Sequence, residues 1–255
     1  MRASGQASVG GAAALSHVGL VRETNEDAVY VDAAGRLLVC ADGLGGLPYG
    51  EVASRIAVEH VVSELGPRIA RGRLGMRGGW RERLRRACCS AHDVVVGAGR
   101  QRGVVGGIGT TLVVAVTTPR RVHVCHVGDV RAYLWSHGEL VRLTEDHSVV
   151  FEAVRAGSLT VEQARVHPRR NLVTQALGLP EGVEPSTTTV ALTAGDLVLL
   201  CSDGLWETMP DAELAASLDP ERPPRAIAES LIERALVAGG PDNVSVVVYR
   251  HGGSW

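Results

Sequence analysis

Ten residues, Leu37 to Gly46, constrain this chain most; they read LLVCADGLGG. The apolar run Leu37 to Cys40 is too short for a helix and suits a buried β-strand. It delivers Asp42 to the strand's end, beside Gly43, Gly45 and Gly46. Glycine lets a backbone turn sharply and lets a ligand approach it closely. The arrangement recurs: Leu197 to Gly204 reads LVLLCSDG, Val122 to Asp129 reads VHVCHVGD, and Asp242 stands just before the run Val244 to Tyr249. A lone Asp-Gly commonly marks a turn. Four acids at four strand ends predict instead a convergence on one edge of a sheet. Hard divalent cations, Mg²⁺ or Mn²⁺, favour such carboxylate-and-water sites.

The rest of the chain is organised around that run. Residues 1–8 are mostly small and polar, and 1–9 are expected to form a flexible N-terminus. Strands are expected over Gly10–Val18 and Ala28–Asp32, which places Arg22, Glu26 and Asp27 close in sequence to the Asp42 strand. Arg22 could form a simple salt bridge; next to a metal cluster its forked guanidinium suits a phosphate. Helices are expected over Gly50–Leu65, stopped by Gly66-Pro67, and over Trp80–Ala98. Strands follow over Thr110–Thr117, from Val122, over Arg131–Trp135 and over Leu140–Leu143. Residues 144–171 read as a flap-like segment of short helices, with a capping box from Thr160 to Gln163. Two strands, Thr188–Leu192 and Leu197–Cys201, precede helices near Asp211–Leu218 and Pro224–Ala238. The Val244 strand then closes a single domain over 10–250, leaving 251–255 as a tail. Because strands and helix pairs do not alternate regularly, a doubly wound parallel sheet is not expected.

Composition narrows the class. The chain has 255 residues, 45% hydrophobic and 21% charged, in the range of an ordinary globular protein. A net charge of −2 gives no general argument for nucleic-acid or membrane binding. The arginine-rich stretch Arg68 to Arg86 reads as a solvated helix face. Five cysteines, without a CxxC, fit a reducing cytoplasm rather than a disulfide framework. No stretch is long and apolar enough to predict a membrane span.

Taken in order, the motifs are RETNED (22–27), ADGLGG (41–46), GIGTT (107–111), GDVR (128–131), EDHS (145–148), SDGLWE (202–207) and GPDNVS (240–245). This series resembles the PP2C (PPM) family of metal-dependent serine/threonine protein phosphatases, in its bacterial form. The resemblance implies an α+β fold, a four-layer α-β-β-α sandwich of two antiparallel β-sheets flanked by helices. It implies two principal Mn²⁺ or Mg²⁺ ions and a possible third. Asp42 would bridge two metals, with the Gly43 carbonyl on one of them, and Asp203 and Asp242 would hold the other. Asp129, with Asp203, would create the third, weaker site. Glu26 and Asp27 would hold metal-bound waters or support the ligands, and Arg22 would bind phosphate. A metal-activated water would then attack phosphorus in line, so no cysteine nucleophile is required. The implied partners are phosphorylated proteins, commonly a bacterial Ser/Thr kinase and its targets, met by a monomer.

Two positions depart from the family pattern. Leu44 stands where some members carry a His proposed as the leaving-group acid, which leaves the proton donor unassigned; His147 reads as structural. Val130 stands where Ser is usual, although Asp129 is retained. Rival readings are an inactive phosphoprotein-binding relative and a nucleotide-binding protein using the glycines of ADGLGG. The second lacks both the P-loop lysine and the GxGxxG spacing.

Overall fold

Covered on both faces, β-strands such as Leu37–Asp42 and Leu197–Cys201 carry unbroken apolar runs rather than an alternating pattern. The computed structural model describes residues 6–9, 11–71 and 79–252. Among these, one antiparallel sheet joins β1 (Gln6–Val9), β2 (Ala12–His17), β11 (Val244–Arg250), β10 (Leu197–Cys201), β7 (Arg131–Ser136) and β8 (Glu139–Arg142), in that order. The other joins β3 (Asp27–Val31), β4 (Leu37–Asp42), β5 (Leu112–Thr118), β6 (Arg121–Val127) and β9 (Ser186–Ala191). Successive residues of each strand point to opposite faces. Thus Leu38 and Cys40 of β4 face the other sheet, packing with Val198 and Leu200 of β10 and Val247 of β11. Leu37, Val39 and Ala41 face outward, onto α1 (Gly50–Ala70) and α2 (Trp80–Gln101).

The first sheet is covered on its outer face in the same way. Leu199 and Cys201 of β10, and Val246 and Val248 of β11, pack with α5 (Asp203–Trp206), α6 (Asp211–Ser217) and α7 (Pro224–Val237). The result is the expected α-β-β-α layering. A fully buried Leu or Val contributes roughly 1.5–3 kcal/mol, so the three apolar layers hold the strand ends in fixed positions. Between β8 and β9 the chain makes α3 (Val149–Arg155) and α4 (Val161–Arg165). Thr160 and Gln163 form a reciprocal capping box at the start of α4.

Several sequence-based expectations need correction. The acids do not gather on one edge of a sheet: β4 and β6 lie in one sheet and β10 and β11 in the other. Residues 6–9 are not a loose terminus but β1, paired with β2; residues 1–5 and 10 lie outside the described residues. Pro67 does not end α1, which runs one turn further to Ala70. Ile69, 1% exposed, extends the buried stripe past the proline, and the Arg71 N–H bonds to the Pro67 carbonyl. His251 is not in a tail: it is buried, and its backbone exchanges hydrogen bonds with Gly195 and Asp196. Residues 253–255, and 72–78 within the arginine-rich stretch, lie outside the described residues.

Candidate metal centre

The acid-bearing ends of strands from both sheets meet at one end of the sandwich. Arg22, Glu26, Asp42, Gly43, Asp129, Asp203 and Asp242 line a single cleft of about 120 Å³, joined by Leu44, Thr111, Asn171 and Val173. Register explains the meeting. In the second sheet Asp27 is paired with Asp42. In the first, Arg131 is paired with Cys201, so Asp129 and Asp203 leave adjacent strands at the same end. Asp27 does not line the cleft; its Oδ2 accepts a hydrogen bond from Ser202 Oγ at 2.8 Å.

Glycine at positions 43 and 204 serves close approach rather than a turn. Neither residue has a positive φ. A Cβ on Gly43 would lie 2.5 Å from the Gly50 carbonyl, and one on Gly204 would lie 2.0 Å from the Asn243 carbonyl oxygen. Any side chain there would push an acid-bearing segment away from its neighbour. Gly128 is different: its φ is 95°, and a Cβ would strike Thr111 Cγ2 at 2.4 Å.

Hydrogen bonds fix the segments to one another. Asn243 Nδ2 donates to the Val18 and Thr24 carbonyls, each at 2.9 Å, while its Oδ1 accepts from the Glu26 N–H at 2.8 Å. This one side chain ties the Asp242 turn to the loop that carries Arg22 and Glu26. The Asp42 carbonyl accepts from the Thr111 N–H and from Thr110 Oγ1, both at 2.8 Å. Ser202 Oγ accepts the Ser245 N–H at 2.9 Å while donating to Asp27. On the far side, Trp206 Nε1 donates to the Asp129 carbonyl at 3.1 Å. The Arg131 guanidinium lies 3.6 Å from the centre of the Trp206 ring and forks onto Asp146 at 2.6 and 3.0 Å.

The charge balance of the cleft calls for a cation. Five of its lining residues are acidic, and Arg22 is its single cation, bound to Asp242 at 2.6 Å. Burial, then the charges of Asp27, Asp203 and Asp129, hold the Asp42 carboxyl well above the usual carboxylate range. Burial, Asp129 and Asp242 do the same to Asp203. Burial and Asp146 push Asp129 up to about 7, and burial pushes Asp27 up to about 6. Hydrogen bonding to Asp242 raises Arg22. Asp27 Oδ1 is buried without a hydrogen-bond partner. Among the described residues no three His, Cys, Asp or Glu side chains form a closed ligand set. An open, all-oxygen lining with room for water nevertheless suits Mg²⁺ or Mn²⁺, which keep part of their shell as water.

The departures from the family pattern also find places. Val130 is fully buried between the sheets and takes no part in the cleft. His147 does not line the cleft: its Nδ1 accepts from the Gly128 N–H at 3.3 Å, and its Nε2 meets Ser186 Oγ at 3.0 Å. Burial and the stacked His126 ring push it down to about 4. Asn243, Ser202 and Trp206 carry no role in the sequence reading although each sits inside a quoted motif. Their adjacency to Asp242, Asp203 and Glu207 was the available signal.

Fold and cleft together define a class. A family profile described as Protein phosphatase 2C matches residues 20–235, and the chain belongs to this family. Among its relatives, the serine/threonine protein phosphatase PstP of Mycobacterium tuberculosis is 40% identical over 92% of this chain. This chain spans 44% of that relative's length. The serine/threonine phosphatase stp of Listeria monocytogenes is 34% identical, with 90% of this chain and 91% of the relative covered. A crystal structure of the catalytic domain of PstP in complex with two manganese ions superposes with a TM-score of 0.80. It is 36% identical, covering 94% of this chain and 96% of that one.

Proposed function

We propose that this protein hydrolyses phosphoserine and phosphothreonine on proteins, using Mn²⁺ or Mg²⁺ held by Asp42, the Gly43 carbonyl, Asp203 and Asp242, with Asp129 serving a third ion. One observation carries the reading: acids from four strands of two sheets line one cleft with a single arginine among them. Bound divalent ions would supply Lewis acidity and bring a water to reactivity near neutral pH. Arg22, at the mouth of the acid cluster and 46% exposed, is free to exchange Asp242 for a substrate phosphate, which its fork fits in two hydrogen bonds. Glu26 orients water at the rim, and Asp27 supports Asp42 across the β3–β4 pair. Leu44 keeps one wall of the cleft apolar. No histidine lines the cleft among the described residues.

The physiological partners on this reading are a bacterial Ser/Thr kinase and its targets. The enzyme would act as a monomer in a reducing cytoplasm, where its five free cysteines stay reduced. Among the described residues no helix is long and apolar enough to cross a membrane. Phosphate release from a phosphothreonine peptide, followed with Mn²⁺, Mg²⁺ or EDTA, tests the activity. Turnover should require either metal, and Asp42→Ala or Asp203→Ala should lower it by at least about 10²–10³-fold, the scale of losing one preorganised electrostatic group. Folded protein that binds the phosphopeptide but releases no phosphate with any metal would establish the inactive binding module instead.

A further inference from the structure

Beside the metal cleft opens a larger pocket of about 530 Å³. Three stretches of chain contribute to both. Arg170 lines the pocket and Asn171 the cleft; Pro241 lines the pocket and Asp242 the cleft; Glu207 lines the pocket one helical turn beyond Asp203. An extended peptide advances roughly 3.3–3.6 Å per residue. A phosphoresidue seated at the acids therefore sets a side chain one to three positions away against this pocket.

The lining combines apolar surface with excess positive charge. Val150, Phe151 and Trp206 supply the first. Four arginines against two acids supply the second, and both acids are already engaged. Arg131 forks onto Asp146, and Arg170 meets Glu207 at 3.3 Å. Arg142 only shares Asp146, at 3.5 Å, and lies over the Phe151 ring. Arg165, exposed on α4, has no ion-pair partner among the described residues.

We propose that this pocket reads an acidic side chain, Glu or Asp, one to three residues from the phosphorylated one, with Arg165 and Arg142 as its partners. The inference rests on the phosphoprotein reading above and adds a substrate preference to it. Glutamate matches both parts of the lining: its methylenes lie on the apolar surface and its carboxylate accepts a guanidinium fork. A lysine at the same place meets the uncompensated arginine charge and is rejected.

Three phosphothreonine peptides, identical except for Glu, Gln or Lys two residues from the phosphothreonine on both sides, provide the test. p-Nitrophenyl phosphate, too small to reach the pocket, is the control. Wild-type kcat/KM should favour Glu over Lys about 10-fold, mainly through KM, and the ratio should shrink in 0.5 M salt. Arg165→Gln should reduce it to about 3-fold or less and leave p-nitrophenyl phosphate turnover unchanged, which also shows that the variant folds. Equal kcat/KM for the three peptides, or a ratio untouched by Arg165→Gln, overturns the pocket's role while the phosphatase reading stands. Absence of Mn²⁺-dependent turnover on every substrate overturns both readings.

Discussion

Asn243 is where two carboxylate-bearing segments are held to a common geometry. It is 5% exposed, and its side chain spends all its hydrogen-bonding groups on the 18–26 loop. In Asn243→Ala the Glu26 N–H and the Val18 and Thr24 carbonyls lose their partner at a partly buried site. Leaving such groups unsatisfied costs about 1–3 kcal/mol each, so a loss of about 3 kcal/mol is expected in denaturant unfolding. Mn²⁺ binding measured by calorimetry should weaken about 10–100-fold, as when a ligand's supporting partner is removed. A variant with wild-type stability and Mn²⁺ affinity would remove Asn243 from this role. The contrast with Asp42, Asp129, Asp203 and Asp242 shows what the sequence makes legible. Those acids adjoin short apolar runs, a local pattern that places them at strand ends. The partners of Asn243 lie 217 to 225 positions away, and no local pattern encodes them. The glycines at 43 and 204 fall between: their presence is visible, but that they serve backbone contact rather than a turn emerges only in three dimensions.

At the scale of elements, α5 matters most and was least foreseeable. A four-residue helix has no stability of its own, and Ser202-Asp203-Gly204 after an apolar run reads as a strand end and turn. The helix persists because Leu205 is fully buried and Gly204 admits the Asn243 carbonyl. The longer strands and helices were legible to within a few residues, since each carries its own apolar periodicity. Which sheet a strand joins was not, because antiparallel partners such as β2 and β11 are separated by most of the chain. α5 joins Asp203 to Trp206 within one turn, and Trp206 in turn holds the Asp129 carbonyl. Trp206→Phe keeps a ring beneath Arg131 and removes the Nε1–H. It should weaken the weakest Mn²⁺ site up to about 10-fold, read by electron paramagnetic titration of free Mn²⁺, and spare the tighter sites. Equal weakening at every site would show a general disturbance of the cleft instead.

For the molecule as a whole, the acid cluster sets how stability responds to pH. Asp27, Asp42, Asp129 and Asp203 all have folded values above the ordinary carboxylate value near 3.9. The native state then holds protons more tightly than the unfolded chain. The stability tied to these groups is complete below about pH 4 and is lost as pH rises through about 6 for Asp27 and about 7 for Asp129. Protein in EDTA should accordingly show a falling Tm from pH 5 to pH 7.5. Mn²⁺ held as proposed by Asp42, Asp129 and Asp203 would compete with their protons, so it should flatten the trend and add about 2.7 kcal/mol at 100 times its Kd. A Tm in EDTA that climbs across this window would contradict the cluster's electrostatics. Synthesis brings out a last property of the sheet order. β11 lies between β2 and β10, so the sheet bearing Asp203 stays in two parts until that strand leaves the ribosome. A nascent chain that already displays Arg22, Asp42 and Asp129 has neither Asp242 nor the strand that unites its first sheet. A chain cut short before β11 therefore has neither a continuous first sheet nor the complete set of acids that lines the cleft.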